Sequence, residues 1–244
     1  MINVAILGAS GRMGSTVAGA VGAAADMQVV ASLDAADALE LNGAQVAVDF
    51  TVPTATEANV HALIDAGVHA VVGTSGWTEE ALERVREHLA SALGIGVLIA
   101  PNFALSAVLS MKFAAIAAPY FESVEIVELH HPGKVDAPSG TAVHTAKGVA
   151  AARASKGVGP SPDATTHDPD GARGAVIDGI RVHAVRLQGL TAHEEVLLGN
   201  PGEQLTIRTD SFDRTSFMPG VLLGIREVAA RPGLTVGLDG FLSL

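Results

Sequence analysis

Asn3-Val4-Ala5-Ile6-Leu7-Gly8-Ala9-Ser10-Gly11-Arg12-Met13-Gly14 opens the chain with a short apolar run that breaks on glycine and then passes into an alanine-rich stretch. The apolar run reads as a β-strand and residues 14–24 as a helix. The glycines between them stand where a backbone turns sharply and approaches a ligand closely. The first amides of a helix lack intrahelical partners and sit at the positive end of its dipole, so such a turn attracts phosphate. The spacing is GxxGxxG instead of the usual GxGxxG, but a second apolar run, 28–33, ends on Asp34, 20 residues after Gly14. An acid at that place accepts hydrogen bonds from the ribose hydroxyls of an adenine dinucleotide. Together the features indicate a dinucleotide-binding unit.

The same rhythm continues outward. Apolar runs at 46–50, 69–72 and 95–99 alternate with helical stretches at 54–66 and 78–93, and the runs show no polar alternation. That is the pattern of a doubly wound parallel sheet covered by helices on both faces, placed at residues 1–102. Gly73-Thr74-Ser75 and Ala100-Pro101-Asn102-Phe103 follow strands, at the carboxyl ends where open parallel sheets bind ligands. From Glu122 the pattern changes to longer strands, 124–129, 180–187, 194–198 and 204–209, with one strong helix at 141–153. The last three strands follow one another without helices and read as an antiparallel meander, which makes this region α+β. Residues 155–174, rich in Gly, Pro, Asp, Ser and Thr, are expected to form a surface loop or a mobile one. A final helix, 217–230, is expected to pack back on the first domain.

The 244 residues carry a net charge of −11 and no cysteine, and 48% are hydrophobic. So acidic a chain lacks the basic footprint that nucleic acid or an anionic membrane requires. Lys112 interrupts the longest apolar candidate, 107–121, leaving no run long enough for a membrane span, and the first residues do not read as a signal peptide. Without cysteine there are no disulfides and no thiolate metal sites, and no HExxH spacing occurs, so no metal is expected; the cytoplasm is the default compartment.

The segment with chemistry runs from Glu128 to Thr141: Glu128-Leu-His130-His131-Pro-Gly-Lys134-Val-Asp136-Ala-Pro-Ser139-Gly140-Thr141. Adjacent strand residues point to opposite faces, so His130 and His131 have different tasks. His130 and Lys134, across a Pro-Gly turn, are able to reach one pocket. Ser139-Gly140-Thr141 starts the helix, where amides and hydroxyls make an anion site. Hydride addition to an imine-like or conjugated substrate needs a positioned acid, for which imidazole is suited near neutrality, and Lys134 is able either to hold a carboxylate or to donate the proton. For His61, His69, His88, His144, His167 and His183 the structural reading is preferred; Arg173 and His193 are left open as loop and strand cations able to close over an anion.

These segments resemble the dihydrodipicolinate reductase family, formally 4-hydroxy-tetrahydrodipicolinate reductases. The likeness extends over the whole chain, through Gly8–Gly14, Asp49-Phe-Thr51-x-Pro53, Val72-Gly-Thr-Ser75, Ala100-Pro-Asn-Phe103, residues 125–142 and Leu187-x-Gly189-Leu-x-Ala-His193-Glu-Glu-Val196. The resemblance implies an NAD(P)H-dependent cytoplasmic homotetramer of diaminopimelate and lysine biosynthesis. It also implies a Rossmann-like domain, 1–102 completed by 214–244, holding an inserted α+β substrate and oligomerisation domain, 103–213. By the same resemblance His130 is the acid/base, Lys134 the substrate-side donor, His131 a substrate contact, and Gly140 and Thr141 cradle a carboxylate of a small dicarboxylate substrate, to which the Ser139 hydroxyl at the helix start is expected to add a donor. Gly8, Ala9, Ser10, Gly11, Arg12, Met13, Asp34, Gly73, Thr74, Ser75, Ala100, Pro101, Asn102 and Phe103 then line the nucleotide. Asp34, followed by Ala35, Ala36 and Asp37, repels a 2′-phosphate, which favours NADH; Arg12 leaves NADPH use open. Two rivals stand beside this reading: another Rossmann dehydrogenase of a carboxylated substrate, and a non-catalytic NADH sensor. A short-chain dehydrogenase is disfavoured, because the sole tyrosine, Tyr120, has Val124 where a lysine is required.

Overall fold

The structure, a computed structural model, describes residues 1–242 and divides the chain into two compact units, Met1–Ala104 with the segment from Arg214 onward, and Leu105–Asp213. The first unit contains β1 (Ile2–Leu7), α1 (Arg12–Ala23), β2 (Met27–Leu33), β3 (Val46–Asp49), α2 (Pro53–Asp65), β4 (His69–Val72), α3 (Glu79–Ser91) and β5 (Gly96–Ile99). β3 and β5 are buried at every position, as strands covered on both faces must be. A hydrophobic core of Ala47, Leu63, Ile64, Ala70, Val85 and Val97 fills the space between β3, β4, β5 and the helices α2 and α3.

In the second unit, α4 (Leu105–Ala117) precedes β6 (Ser123–His130), α5 (Gly140–Ser155), β7 (Ala175–Ile177), β8 (Ile180–Arg186), β9 (Ala192–Asn200) and β10 (Glu203–Ser211). β6 alternates buried and partly exposed residues, so only one of its faces is covered. Val124 and Ile126 on that face pack with Ala114 of α4, Ala142, Ala146 and Val149 of α5, and Val196 and Leu198 of β9. Arg153, near the end of α5, is 4% exposed and faces carbonyls alone: its guanidinium donates to the oxygens of Ala118, Phe121, Glu122 and Gly159 at 2.5–3.2 Å. This ties the end of α5 to the entry of β6 and to the long loop that follows.

The chain then returns to the first unit with α6 (Met218–Glu227) and β11 (Gly233–Val236). The first sheet is parallel with order β11-β5-β4-β3-β1-β2, so its strand order reverses beside β1, directly under the glycine loop. The strand β11, unmarked in the sequence pattern, extends this sheet beyond β5. The expected final helix is α6 flanked by 3-10 turns at Arg214–Phe217 and Val228–Ala230.

The expected meander is corrected. The second sheet has the order β10-β9-β6-β8-β7: β9 and β10 form an antiparallel hairpin, but β8 runs parallel to β6 on the far side from β9. The helix α5 makes β6-α5-β8 a crossover unit, which pairs its strands in parallel. The short link 187–191 looks like a hairpin turn, yet it is long enough to step over one strand, a distance of roughly 10 Å. Among the described residues no helix is long and apolar enough to cross a membrane.

Candidate active site

In the first unit the glycine loop is built by steric necessity. Gly8 has φ +78°, and a Cβ there would lie 2.7 Å from the Phe50 carbonyl oxygen. A Cβ on Gly14 would lie 2.1 Å from the Gly8 oxygen, so only glycine lets α1 start this close to β1. Gly11 caps α1 without any side-chain hydrogen bond to the helix amides. Gly11, Arg12 and Met13 line an open cleft together with Thr51 and Gly73, Thr74 and Ser75. An uncapped helix start with no Cβ in the way fits a pyrophosphate. Beside it, Asp34 Oδ1 accepts the Ser10 N–H (3.1 Å), which seats the acid against the loop.

The cleft has two features that sequence reasoning missed. Arg214 lines it from the returning segment, a second guanidinium besides Arg12. Asp49, fully buried at the end of β3, accepts Thr51 N–H and Oγ1 and Thr74 Oγ1 on Oδ1 at 2.7–2.9 Å, and Asn59 Nδ2 on Oδ2 at 2.8 Å. That knot fixes the 73–75 loop, and an acid ending an all-apolar strand was its only sequence signal. Trp77 Nε1 donates to the Thr74 oxygen (3.0 Å), which puts the sole tryptophan on the same loop. Ala100, Asn102 and Phe103 stand one strand further on: Asn102 Oδ1 accepts the Ala104 N–H (2.8 Å), and the buried Phe103 ring packs against Phe50 at 5.9 Å. Pro101 is exposed beside them.

In the second unit, β6 ends at His130, and the ring Nδ1 lies 2.6 Å from Glu128 Oε2. His131, next along, is exposed and its carbonyl accepts the Lys134 N–H (3.2 Å), closing the Pro-Gly turn. Lys134 Nζ donates to Asp136 Oδ1 (2.8 Å). The Lys134 ammonium holds the Asp136 carboxyl below its usual range, against partial burial, and the Gly140 amide adds to the effect. Ser139 Oγ caps α5 by accepting the Ala142 N–H (3.2 Å), so the serine supports the first turn, in which Gly140 and Thr141 stand. Burial pushes the His130 pKa below its ordinary value; Glu128 pulls it up, while Lys134 and Arg186 lower it.

Arg186 is the residue of this pocket absent from the expectations. It forks onto Glu128, Nη1 to Oε2 and Nη2 to Oε1 at 2.8 Å each, and Nη2 also donates to the Asp136 carbonyl (2.7 Å). The two cations left open find partners within the unit: Arg173 pairs with Glu125 (2.5 Å) and Asp163 (3.3 Å), which anchors the 155–174 loop to β6. His193 is 7% exposed, with Nδ1 2.6 Å from Asp210 and Nε2 accepting the Thr191 N–H (3.3 Å). His61 and His88 stack on one another, and His183 meets Glu125 at 2.7 Å.

Comparison with known proteins places this geometry. The family models described as "Dihydrodipicolinate reductase, N-terminus" and "Dihydrodipicolinate reductase, C-terminus" match residues 2–42 and 36–103, and 106–242, respectively. The chain is 66% identical to the 4-hydroxy-tetrahydrodipicolinate reductase of Beutenbergia cavernae, over 100% of this chain and 99% of that one. It is 59% identical to the one from Streptomyces coelicolor, over 100% and 98%. Among solved structures, a dipicolinate-bound dihydrodipicolinate reductase from Paenisporosarcina sp. TG-14 superposes with a TM-score of 0.90 at 38% identity, covering 99% of this chain and 100% of that one. An amine dehydrogenase from Mycobacterium smegmatis, at 14% identity and TM-score 0.60 over 98% and 95%, shares the fold alone. Both family models and relatives matched end to end bear out the resemblance read from the His130–Thr141 segment and the glycine loop: the chain belongs to the dihydrodipicolinate reductase family.

Proposed function

We propose that this protein reduces 4-hydroxy-tetrahydrodipicolinate, or its dehydrated ring, to tetrahydrodipicolinate in diaminopimelate and lysine biosynthesis. The observation that carries the reading is the carboxylate already seated on Lys134 at the start of α5, that of Asp136. A site whose own cation and helix amide take up a carboxylate is built for a substrate that carries them. Relatives named as reductases of this ring, and a solved relative described with dipicolinate bound, support the same substrate class.

Gly8 to Met13, Asp34, Gly73 to Ser75 and Ala100 to Phe103 would hold NAD(P)H, which supplies the hydride when bound. The amides of Gly11 to Met13 and the guanidiniums of Arg12 and Arg214, which line the cleft, would meet its phosphates, and Asp34, seated against the loop, would meet the adenosine ribose. A carboxylate at that point disfavours a 2′-phosphate, so NADH is preferred, and the cations of the cleft keep NADPH usable. Lys134, His131 and the Gly140 and Thr141 amides bind the substrate carboxylates, Lys134 leaving Asp136 to do so. His130 delivers a proton from its ring to the substrate atom on which negative charge develops. By its family likeness the protein works in the cytoplasm as a homotetramer, for which light scattering should give four times the chain mass of 24.7 kDa.

The deciding experiment couples the protein to a dihydrodipicolinate synthase with pyruvate and aspartate semialdehyde and follows nicotinamide absorbance. Turnover with NADH exceeding that with NADPH is expected. No turnover with either cofactor would refute the activity, and a severalfold higher kcat/KM with NADPH would refute the preference.

A further inference from the structure

The alternation of β6 puts Ile126, Glu128 and His130 on one side of the strand, so the carboxylate of Glu128 reaches the ring two residues on. Glu128 is 0% exposed, yet both of its oxygens are fully engaged. Oε1 accepts the Ser139 N–H (3.0 Å) and Arg186 Nη2 (2.8 Å); Oε2 accepts Arg186 Nη1 (2.8 Å) and faces His130 Nδ1 at 2.6 Å. A fork of this kind is the strongest pairing a carboxylate has in a protein, and it keeps the acid ionised.

An ionised carboxylate only accepts. The short contact with His130 therefore requires the proton on Nδ1, which leaves Nε2 as the ring atom able to exchange a proton. The neighbouring strand repeats the point. Glu194 lies directly opposite Glu128 in the β6–β9 register and is 3% exposed. Its Oε1 accepts Thr145 Oγ1 (2.7 Å), while Oε2 is buried without a hydrogen-bond partner. Of two carboxylates packed side by side one ionises less readily, and Arg186 sits on only one of them.

We propose that Glu128, held as an anion by Arg186, is a positioning residue that locks His130 in its Nδ1–H form and presents Nε2 to the substrate. This inference rests on the reading of His130 as the acid/base. The charged groups that act on the ring are Glu128 on β6, Lys134 on the turn and Arg186 on β8; behind them Asp136 pairs with Lys134 and Glu194 on β9 faces Glu128, while the Ser139 cap and Thr145 of α5 bring hydroxyls.

The direct test is nitrogen NMR of the imidazole rings in the wild-type protein, with His130→Gln used to assign the signal. Above its pKa, His130 should show a protonated Nδ1 and an imine-like Nε2; the opposite tautomer, or a fast mixture of both, overturns the proposal without any variant having to fold. The second test is the pH dependence of kcat. Glu128→Gln should lower kcat at least about 100-fold with substrate KM and NADH affinity nearly unchanged, and should move the His130 limb to lower pH. Arg186→Gln removes the cation that holds the buried Glu128 ionised, so that carboxyl takes up a proton and the same limb should again move to lower pH. A shift to higher pH, or none, in either variant refutes the positioning role. A limb that survives His130→Gln would instead refute the acid/base reading itself.

Discussion

Replacing Glu194 by glutamine removes a titration while keeping the shape of the side chain. Burial raises the Glu194 carboxyl from 4.5 to about 7, the bond from Thr145 works against that rise, and the Glu128 charge adds to it. A carboxyl that holds its proton more tightly folded than unfolded contributes stability fully below about pH 4.5 and loses it as the pH rises through about 7. At about 1.4 kcal/mol per pH unit, the displacement amounts to roughly 3 kcal/mol. Glutamine stays neutral throughout. The variant should match the wild type to within about 1 kcal/mol at pH 5 and exceed it by about 3 kcal/mol at pH 8. For a chain of this size that is roughly 6 to 12 °C in Tm. The partly buried His130, whose pKa is lowered, acts in the opposite direction, its contribution being lost as the pH falls below about 6.5, so the wild-type curve alone mixes the two effects. Thermal unfolding of both proteins at matched ionic strength from pH 5 to 9, followed by circular dichroism, isolates Glu194 in their difference. A gap that is constant with pH, or one that narrows toward pH 9, refutes a neutral Glu194 in the folded protein.

His130→Gln and Lys134→Ala should each reduce turnover by about 100-fold or more while NADH still quenches or shifts Trp77 emission; lost NADH binding would contradict their placement. Gly14→Ala drives a methyl group against the Gly8 oxygen and should abolish the Trp77 response to NADH, whereas retention of wild-type affinity would show that the glycine loop does not hold the nucleotide. Arg153→Met leaves four carbonyl oxygens without their donor and should destabilise the protein by at least about 3 kcal/mol, seen as a lower Tm; a change below about 1 kcal/mol would mean that water replaces the guanidinium.

What the sequence by itself determined about this protein is what neighbouring residues decide. The turn from β1 into α1 needs glycine at 8, where φ is positive, and at 14, where a Cβ collides with backbone only a few residues away. His130, Lys134, Ser139 and Gly140 lie within one short stretch, so a strand end, a turn and a helix start bring them together under any packing of the remainder. The covered strands β3 and β5 announce themselves as unbroken apolar runs. Tertiary structure alone decided the rest. Arg186 and Glu128, 58 residues apart, meet only because β8 lies parallel beside β6, and Glu194 faces Glu128 only because β9 takes the opposite edge. A hairpin at 187–191 would have put β8 beside β9 and taken Glu194 away from Glu128. Arg214, too, enters the nucleotide cleft from the far end of the chain. Local sterics set turns and helix starts, but the partner of a buried charge, and hence its ionisation, depends on which distant strands share an edge and in what register.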